Sequence, residues 1–335
     1  MKQSGGTALV LALAAATLAA AFISLFIGYA PLSPDKVVAG LFTGDDTSAI
    51  IMREIRLPRM FLGLVSGAAL GMSGAVLQGL LRNPLAEPGV TGVSAFAALG
   101  AVIAMYFGIS SEWPIALPAL AIMGALLSAG LLFAVSARES GILTLILAGV
   151  ALSSLAGALT ALALNLAPNP YAVSEIVFWL LGSLRDRSVQ DVLTATPFVA
   201  VGLAILATTG RALDALTLGE DAAQSLGIDL KNLGRRSAIG VALAVGGSVA
   251  VTGTIGFVGL VVPHLIRPFV GYEPSRLLLP SALGGALLVT IADIAIRLVP
   301  KVVPAQPELM LGVFTSLIGA PFFFWLIIRL RREMR

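Results

Sequence analysis

The chain has 335 residues, of which 58% are hydrophobic and only 12% are charged, and its mean hydropathy is +0.98. Soluble domains carry about a quarter of charged residues, so this composition excludes a soluble globular protein and indicates several membrane-spanning helices. The net charge of +3 does not indicate a nucleic-acid partner, because the basic residues are scattered over helix ends, and the absence of cysteine excludes disulfides and thiolate metal sites.

Apolar runs long enough to cross a ~30 Å hydrocarbon core follow one another along the whole sequence. They predict an all-α, polytopic membrane protein with about ten transmembrane helices in a single domain, residues 1–335. The predicted spans are 8–29, 60–81, 91–108, 114–135, 141–166, 191–209, 236–254, 256–270, 277–299 and 308–330. The first run stands where a signal peptide would, but we interpret it as a retained helix because it is long enough to span. The seventh and eighth runs are short, and two spans or one broken helix both fit them.

The distribution of basic residues predicts an orientation. With about ten spans both termini lie on one side, and 13 of the 21 lysines and arginines fall on that side. The positive-inside rule therefore places both termini in the cytoplasm. Arg56, Arg59 and Arg297 fall on the other side, where snorkelling to lipid headgroups would account for them.

Small residues recur at helical spacing on two spans. They are Gly63, Gly67 and Gly71 on the second, and Gly149, Ser153, Gly157 and Ala161 on the fifth. Such stripes let helix backbones approach closely, so we expect them to pack helices rather than to contact substrate.

Three polar segments have local structure signals. The segment 83–88 is a hinge, in which Asn83 caps a turn and Pro84 and Pro88 fix φ where helices start, with Glu87 between them. Residues 168–190 predict a short interfacial helix anchored by Trp179.

The third segment is 211–236, between the sixth and seventh spans. After Gly219 it predicts a short amphipathic helix that has Ala222, Ala223 and Leu226 on one face and stops at Gly227.

No constellation for catalysis, cofactor or metal binding is present in the sequence. The single histidine, His264, has no carboxylates clustered around it, so we assign it a capping or packing role. No GxxxxGK[ST] motif occurs, so any use of ATP must come from another subunit. Asp293 is the main carboxylate inside a span, which disfavours an ion-coupled carrier. We therefore expect a transport protein that is not an enzyme and has no cofactor.

The chain resembles the FecCD/BtuC family of ABC importer permeases at motifs spread from about residue 30 to 330. These motifs are IRLPR at 55–59, NPLAEPG at 83–89, LAGVA at 147–151, LGE at 218–220, GFVGLVVPH at 256–264 and LIGAPFF at 317–323. The resemblance implies a homodimer with the pathway at its interface, in the bacterial inner (cytoplasmic) membrane. It also implies two cytoplasmic ATPase subunits, which would hydrolyse ATP, and a periplasmic substrate-binding protein.

The resemblance also implies roles for individual residues. Arg56, Arg59 and Arg297 would dock the binding protein. Coupling to the ATPase would use Leu218, Gly219, Glu220, Asp221 and Ala222. A cytoplasmic gate would be formed by Ser140, Gly141, Ile142, Leu143 and Thr144. The gate is more apolar than in cobalamin importers, and Pro307 precedes Glu308 where the family has the reverse order.

The implied substrate is an iron chelate (haem or a ferric siderophore) or cobalamin. The run 178–188 favours an iron chelate, because it is more similar to haem and siderophore permeases. Two interpretations of Arg185 and Arg187 stay open: they steer an acidic chelate, or they are solvated charges at a membrane edge. A cobalamin importer permease is the alternative function, and a stand-alone secondary transporter is a further one.

Overall fold

A computed structural model of the chain describes residues 2–42, 46–113, 115–136, 142–302 and 308–333. All regular structure in these ranges is helical. The first half contains α1 (Lys2–Phe26), α2 (Pro34–Phe42), α3 (Thr47–Ile50), a π-helical segment (Ile51–Arg56), α4 (Leu57–Leu80), α5 (Val93–Tyr106), α6 (Ile109–Glu112), α7 (Ala116–Ser136) and α8 (Ile142–Asn165). The second half contains α9 (Pro170–Leu180), α10 (Val189–Ala207), α11 (Gly210–Leu216), α12 (Glu220–Ser225), α13 (Leu230–Thr252), α14 (Val258–Ile266) with a 3-10 turn (Arg267–Val270), α15 (Pro274–Val302) and α16 (Leu311–Glu333).

The helices confirm the predicted all-α fold. Each of the ten predicted spans corresponds to a helix in the described part of the chain, namely α1, α4, α5, α7, α8, α10, α13, α14, α15 and α16. Among the described residues, five apolar stretches are long enough by themselves to cross a membrane, and α5 and α14 are among the shorter apolar helices.

The break between the seventh and eighth predicted spans is real, and two separate helices flank it. α13 ends at Thr252 and α14 begins at Val258. Gly253 has φ +67°, and a Cβ at this position would collide with the carbonyl oxygen of Trp179. Phe257 also has a left-handed backbone, with φ +67°. Two left-handed residues within five positions cannot continue a right-handed helix, so the chain turns here.

The centre of the bundle is the contact between α4 and α15. A Cβ at Gly67 would collide with the backbone of Gly285, and one at Gly71 with the carbonyl of Ser281. The predicted packing role of the glycine stripe is therefore confirmed for α4.

The two ends of the bundle differ in their polar groups. α4 begins, and α1 and α15 finish, at the end that carries Arg56, Arg59 and Arg297, which we call the arginine end. α11 and α12 lie at the opposite end, where Leu213 packs against Gly79 near the end of α4.

Candidate functional sites

The arginine end contains a buried ionic cluster. Arg59 donates from Nε and Nη2 to Asp293 Oδ1, at 2.9 and 2.8 Å, and also pairs with Glu308. Arg297 Nη2 lies 2.8 Å from Asp293 Oδ2. Asp293 therefore bridges two guanidinium groups. Arg59 joins α4 to α15 through Asp293 and to the segment before α16 through Glu308.

Backbone carbonyls at the end of α1 complete this cluster. Arg297 Nη1 donates to the carbonyl oxygens of Ser24 and Ile27, at 2.9 and 2.5 Å. Arg56 donates to the carbonyl oxygens of Leu25 and Ala30, at 2.5 and 2.6 Å. The last four carbonyls of a helix lack intrahelical donors, so Arg297 and Arg56 satisfy Ser24 and Leu25 of the last turn of α1 as well as carbonyls just after it.

The three arginines are 5 to 7% exposed. Snorkelling would place their guanidinium groups among lipid headgroups, and the observed internal pairs do not fit that interpretation. Each charge is instead satisfied by hydrogen bonds inside the chain, as a buried charge must be. The cluster contains three cations and two carboxylates, so it has one excess positive charge at the arginine end.

Asp293 lies four positions before Arg297, so their pairing is local, whereas nothing in the sequence indicates Glu308 as the partner of Arg59. These two residues are separated by 249 positions, so no local pattern joins them. A carboxylate next to a predicted span is the signal that was available, because such a group requires a partner.

The predicted coupling segment forms two short helices, α11 and α12, with Gly219 between them. Gly219 has φ +107° and ψ 160°, a conformation that is open essentially only to glycine. Glu220 and Asp221 occupy the first turn of α12. The three residues predicted on one face have different surroundings, since Ala223 is buried, Ala222 is half-buried and Leu226 is 63% exposed.

Leu218 and Leu226 are therefore two large apolar side chains exposed at the opposite end of the bundle. Asp214 fixes α11 beside them, since its side chain accepts a hydrogen bond from the Ser275 N–H at 2.8 Å. This bond joins α11 to α15, and the segment after α11 presents Leu218 and Leu226 outward.

The predicted hinge is an ordered turn between α4 and α5. Asn83 Oδ1 accepts from the Leu85 N–H at 2.9 Å, and the Thr91 hydroxyl donates to the Pro88 carbonyl at 3.0 Å. Gln78, just before the turn, donates to the Gly259 carbonyl at 3.1 Å and accepts from Arg267 at 2.5 Å. These bonds join the end of α4 to α14.

A cavity of about 750 Å³ lies between this hinge and α16. Its walls include Glu87 of the hinge, Leu180 of α9, Phe257 of the α13–α14 break and Ser316 of α16. The Phe257 ring packs where a Cβ on Gly319 of α16 would stand. The hinge and the break therefore meet α16 around one largely apolar space.

The gate residues are only partly described. Ser140 and Gly141 lie outside the described residues, and Ile142 and Leu143 begin α8. Thr144 is exposed and is not among the described lining residues of the 750 Å³ cavity. The gate remains a prediction.

The predicted interfacial helix at 168–190 is α9, but the prediction that Trp179 anchors it in the membrane interface is wrong. Trp179 is only 9% exposed and belongs to the hydrophobic core. Its neighbour Phe178 is exposed instead.

Comparison with known proteins gives consistent results. The FecCD transport family matches residues 16–329. The chain is 44% identical to the vitamin B12 import permease BtuC of Vibrio cholerae, over 82% of each chain. It is 38% identical to the hemin permease HmuU of Yersinia pestis, over 84% of each. It is 37% identical to the Fe(3+) dicitrate permease FecD of Escherichia coli, over 97% of this chain and 99% of that one.

A solved structure described as an inward-facing conformation of a metal-chelate type ABC transporter has a TM-score of 0.84, with 31% identity. The match covers 96% of this chain and 99% of that one. The fold, the motifs and the relatives agree: the chain belongs to the FecCD transport family and is a membrane transport permease rather than an enzyme.

Proposed function

We propose that the protein is the transmembrane subunit of a binding-protein-dependent ABC importer that carries an iron chelate, either haem or a ferric siderophore. The observation that carries this proposal is the α11–α12 segment, which presents Leu218 and Leu226 outward on either side of the Gly219 corner and α12. Neighbouring apolar side chains that stay exposed outside the membrane favour a protein partner. We infer that a cytoplasmic ATPase binds here, through Leu218, Gly219, Glu220, Asp221 and Ala222.

This assignment orients the molecule. If the opposite end faces the cytoplasm, the arginine end faces the periplasm and both termini are cytoplasmic. The excess positive charge of the arginine cluster would then attract acidic residues of a binding protein. Direct docking by Arg56, Arg59 and Arg297 requires the incoming carboxylates to compete with Asp293 and Glu308 for the same guanidinium groups.

A homodimer is supported by two helices that are largely exposed in the single chain. The most apolar window of α8 is only 11% buried, and Leu317, Ile318 and Phe324 of α16 are exposed. We propose that two copies meet through α8 and α16 and that the pathway runs between them. Two ATPase subunits would bind at their cytoplasmic ends. Residues 140–144, where α8 begins, would then close the pathway at its cytoplasmic end.

Cobalamin is the second candidate substrate, and the 44% identity to a vitamin B12 permease favours it. Hemin and ferric dicitrate permeases are nearly as similar. The names of relatives alone therefore do not decide among these chelates.

ATP hydrolysis by the reconstituted importer distinguishes the candidates. The permease, its ATPase and its binding protein are placed together in vesicles, and haem, a ferric siderophore, ferric dicitrate and cobalamin are added in turn at equal concentration. We expect stimulation by haem or the siderophore. Stimulation by cobalamin alone would overturn the iron-chelate assignment, and uptake that continues without ATP would favour a secondary transporter.

A further inference from the structure

A second cavity, of about 630 Å³, opens at the arginine end and shares no described lining residue with the 750 Å³ cavity. It lies between α5, α7, α9, α10 and α13. Its apolar wall includes Met105, Leu117, Pro118 and Phe178. Arg185, Asp186, Arg187, Asp191 and Glu175 also line it.

Most of these charges already have partners. Arg185 Nε lies 3.2 Å from Asp186. Asp191 accepts hydrogen bonds from both the N–H and the hydroxyl of Ser188, each at 2.8 Å, in the capping box of α10. Arg187 and Glu175 remain, and neither forms an ion pair with another described residue.

Arg187 is the more constrained of these two. Its Nε donates to the Ser183 carbonyl at 3.5 Å, and its guanidinium group makes no other hydrogen bond within the described ranges. Burial lowers the pKa of Arg187 from its ordinary value, and the nearby Asp186 and Asp191 partly offset this effect. The side chain stays a cation, so a half-buried positive charge faces the cavity.

Exposed aromatic side chains place this cavity at the level of the lipid headgroups. Phe107 follows α5, Trp113 follows α6 and Tyr171 lies in the first turn of α9, and all three are largely exposed. Trp and Tyr are enriched at membrane–water interfaces, and Trp113 and Tyr171 both lie at the ends of helices near this cavity. The mouth of the cavity is therefore within reach of phospholipids.

We propose that this cavity binds a zwitterionic phospholipid, with the lipid phosphate on Arg187, the headgroup ammonium near Glu175 and an acyl chain along the wall that contains Met105 and Leu117. Guanidinium groups bind phosphate through paired charge-assisted hydrogen bonds. The apolar wall accounts for a lipid rather than a free phosphate ion. This site does not depend on the identity of the transported substrate.

Native mass spectrometry of the full chain tests the proposal. The protein is extracted from vesicles that contain equal amounts of phosphatidylethanolamine and phosphatidylglycerol, and retained lipids are counted. We expect one strongly retained phosphatidylethanolamine, and about a tenfold loss of its retention in Arg187→Gln, because a charge-assisted hydrogen bond is removed. Glu175→Gln should keep a lipid but lose the preference for phosphatidylethanolamine.

Arg185→Gln is the matched control, since Arg185 lines the same cavity but is paired with Asp186. It should retain the lipid, and Arg187→Lys should restore part of the retention lost in Arg187→Gln. Equal retention by the wild type, Arg187→Gln and Arg185→Gln would overturn the proposal. Loss of the lipid when inorganic phosphate is added at millimolar concentration would also overturn it, because the site would then bind the free ion.

Discussion

The helices α4 and α8 look alike in the sequence and have opposite surroundings in the structure. Both carry small residues at four-residue spacing, and the hydropathies of their apolar windows are 1.8 and 1.9. The window of α4 is 72% buried inside the chain, whereas that of α8 is 11% buried. Nearly equal hydropathy therefore produces one central helix and one peripheral helix.

The small-residue stripe on α8 packs closely against the rest of the chain only at one end. A Cβ at Gly149 would lie 2.7 Å from the carbonyl oxygen of Val90, and the Ser153 hydroxyl donates to the Gly89 carbonyl at 3.2 Å. At Gly157, the position that a Cβ would occupy has no neighbouring atom within 4 Å. The first half of the stripe on α8 thus packs against the hinge, and the second half is free for a surface outside this chain. A small-residue stripe predicts close packing but does not specify the partner.

The largest expected effect comes from replacing one glycine in each of these two stripes by leucine. Gly71→Leu should abolish folding, because its side chain would occupy the space of the Ser281 carbonyl and neither backbone can move freely. Gly157→Leu should keep the fold, since the space around it is open. Size-exclusion chromatography and thermal denaturation in detergent show whether each of the two variants is folded. A folded Gly71→Leu protein would contradict the packing assignment of α4.

The next effect concerns the cluster where α4 begins. Asp293→Asn would leave three arginines with one carboxylate, and breaking a buried ion pair costs about 3–5 kcal/mol. Glu273→Gln removes a half-exposed pair with Arg276 and should cost at most about 1 kcal/mol. Thermal denaturation of both variants compares them.

If Asp293→Asn is as stable as Glu273→Gln, the arginine cluster does not hold α4 in place.

The same cluster makes Arg59→Glu unsuitable as a test of whether Arg59 docks the binding protein. That substitution would put three carboxylates in one buried site and would disturb the permease itself.

A smaller, local effect is expected at the exposed α12. Gly219→Ala forces a side chain into a backbone region that costs about 1–3 kcal/mol, so we expect the corner to shift and ATPase binding to weaken about tenfold. Gly227→Ala is the control, because this glycine also has positive φ and open surroundings but lies after the helix. Pull-down of the ATPase by each variant provides the comparison. Equal binding by both would argue against Gly219 as the coupling corner.

The smallest effect on stability is expected from substitutions on the exposed face of α8. Leu155, Leu159 and Leu162 lie on one side of the helix and are 40 to 53% exposed. A cysteine at Leu155 should leave folding unchanged and cross-link two copies in membranes. A cysteine at Phe61, which is exposed on α4, should not cross-link. If neither position cross-links, α8 faces lipid instead of a second copy.

Much of the fold was predictable because it depends on local composition. Each apolar run became a helix, since a backbone in lipid must satisfy its hydrogen bonds within its own segment. The break near Gly253 and the corner at Gly219 were also visible, because glycine alone adopts these conformations at low cost. The motifs that indicate the family are local strings as well.

The tertiary structure alone decided which partner each predicted feature has. Arg59 meets Glu308 across 249 positions, and Trp179 is buried in the core instead of anchoring in the membrane interface. Leu226 is exposed, whereas Ala223, predicted on the same face, is buried. Local sequence determines whether a segment is helical and apolar. The partner of a charge or of a glycine face depends on how distant helices pack, and several packings are compatible with the same local pattern.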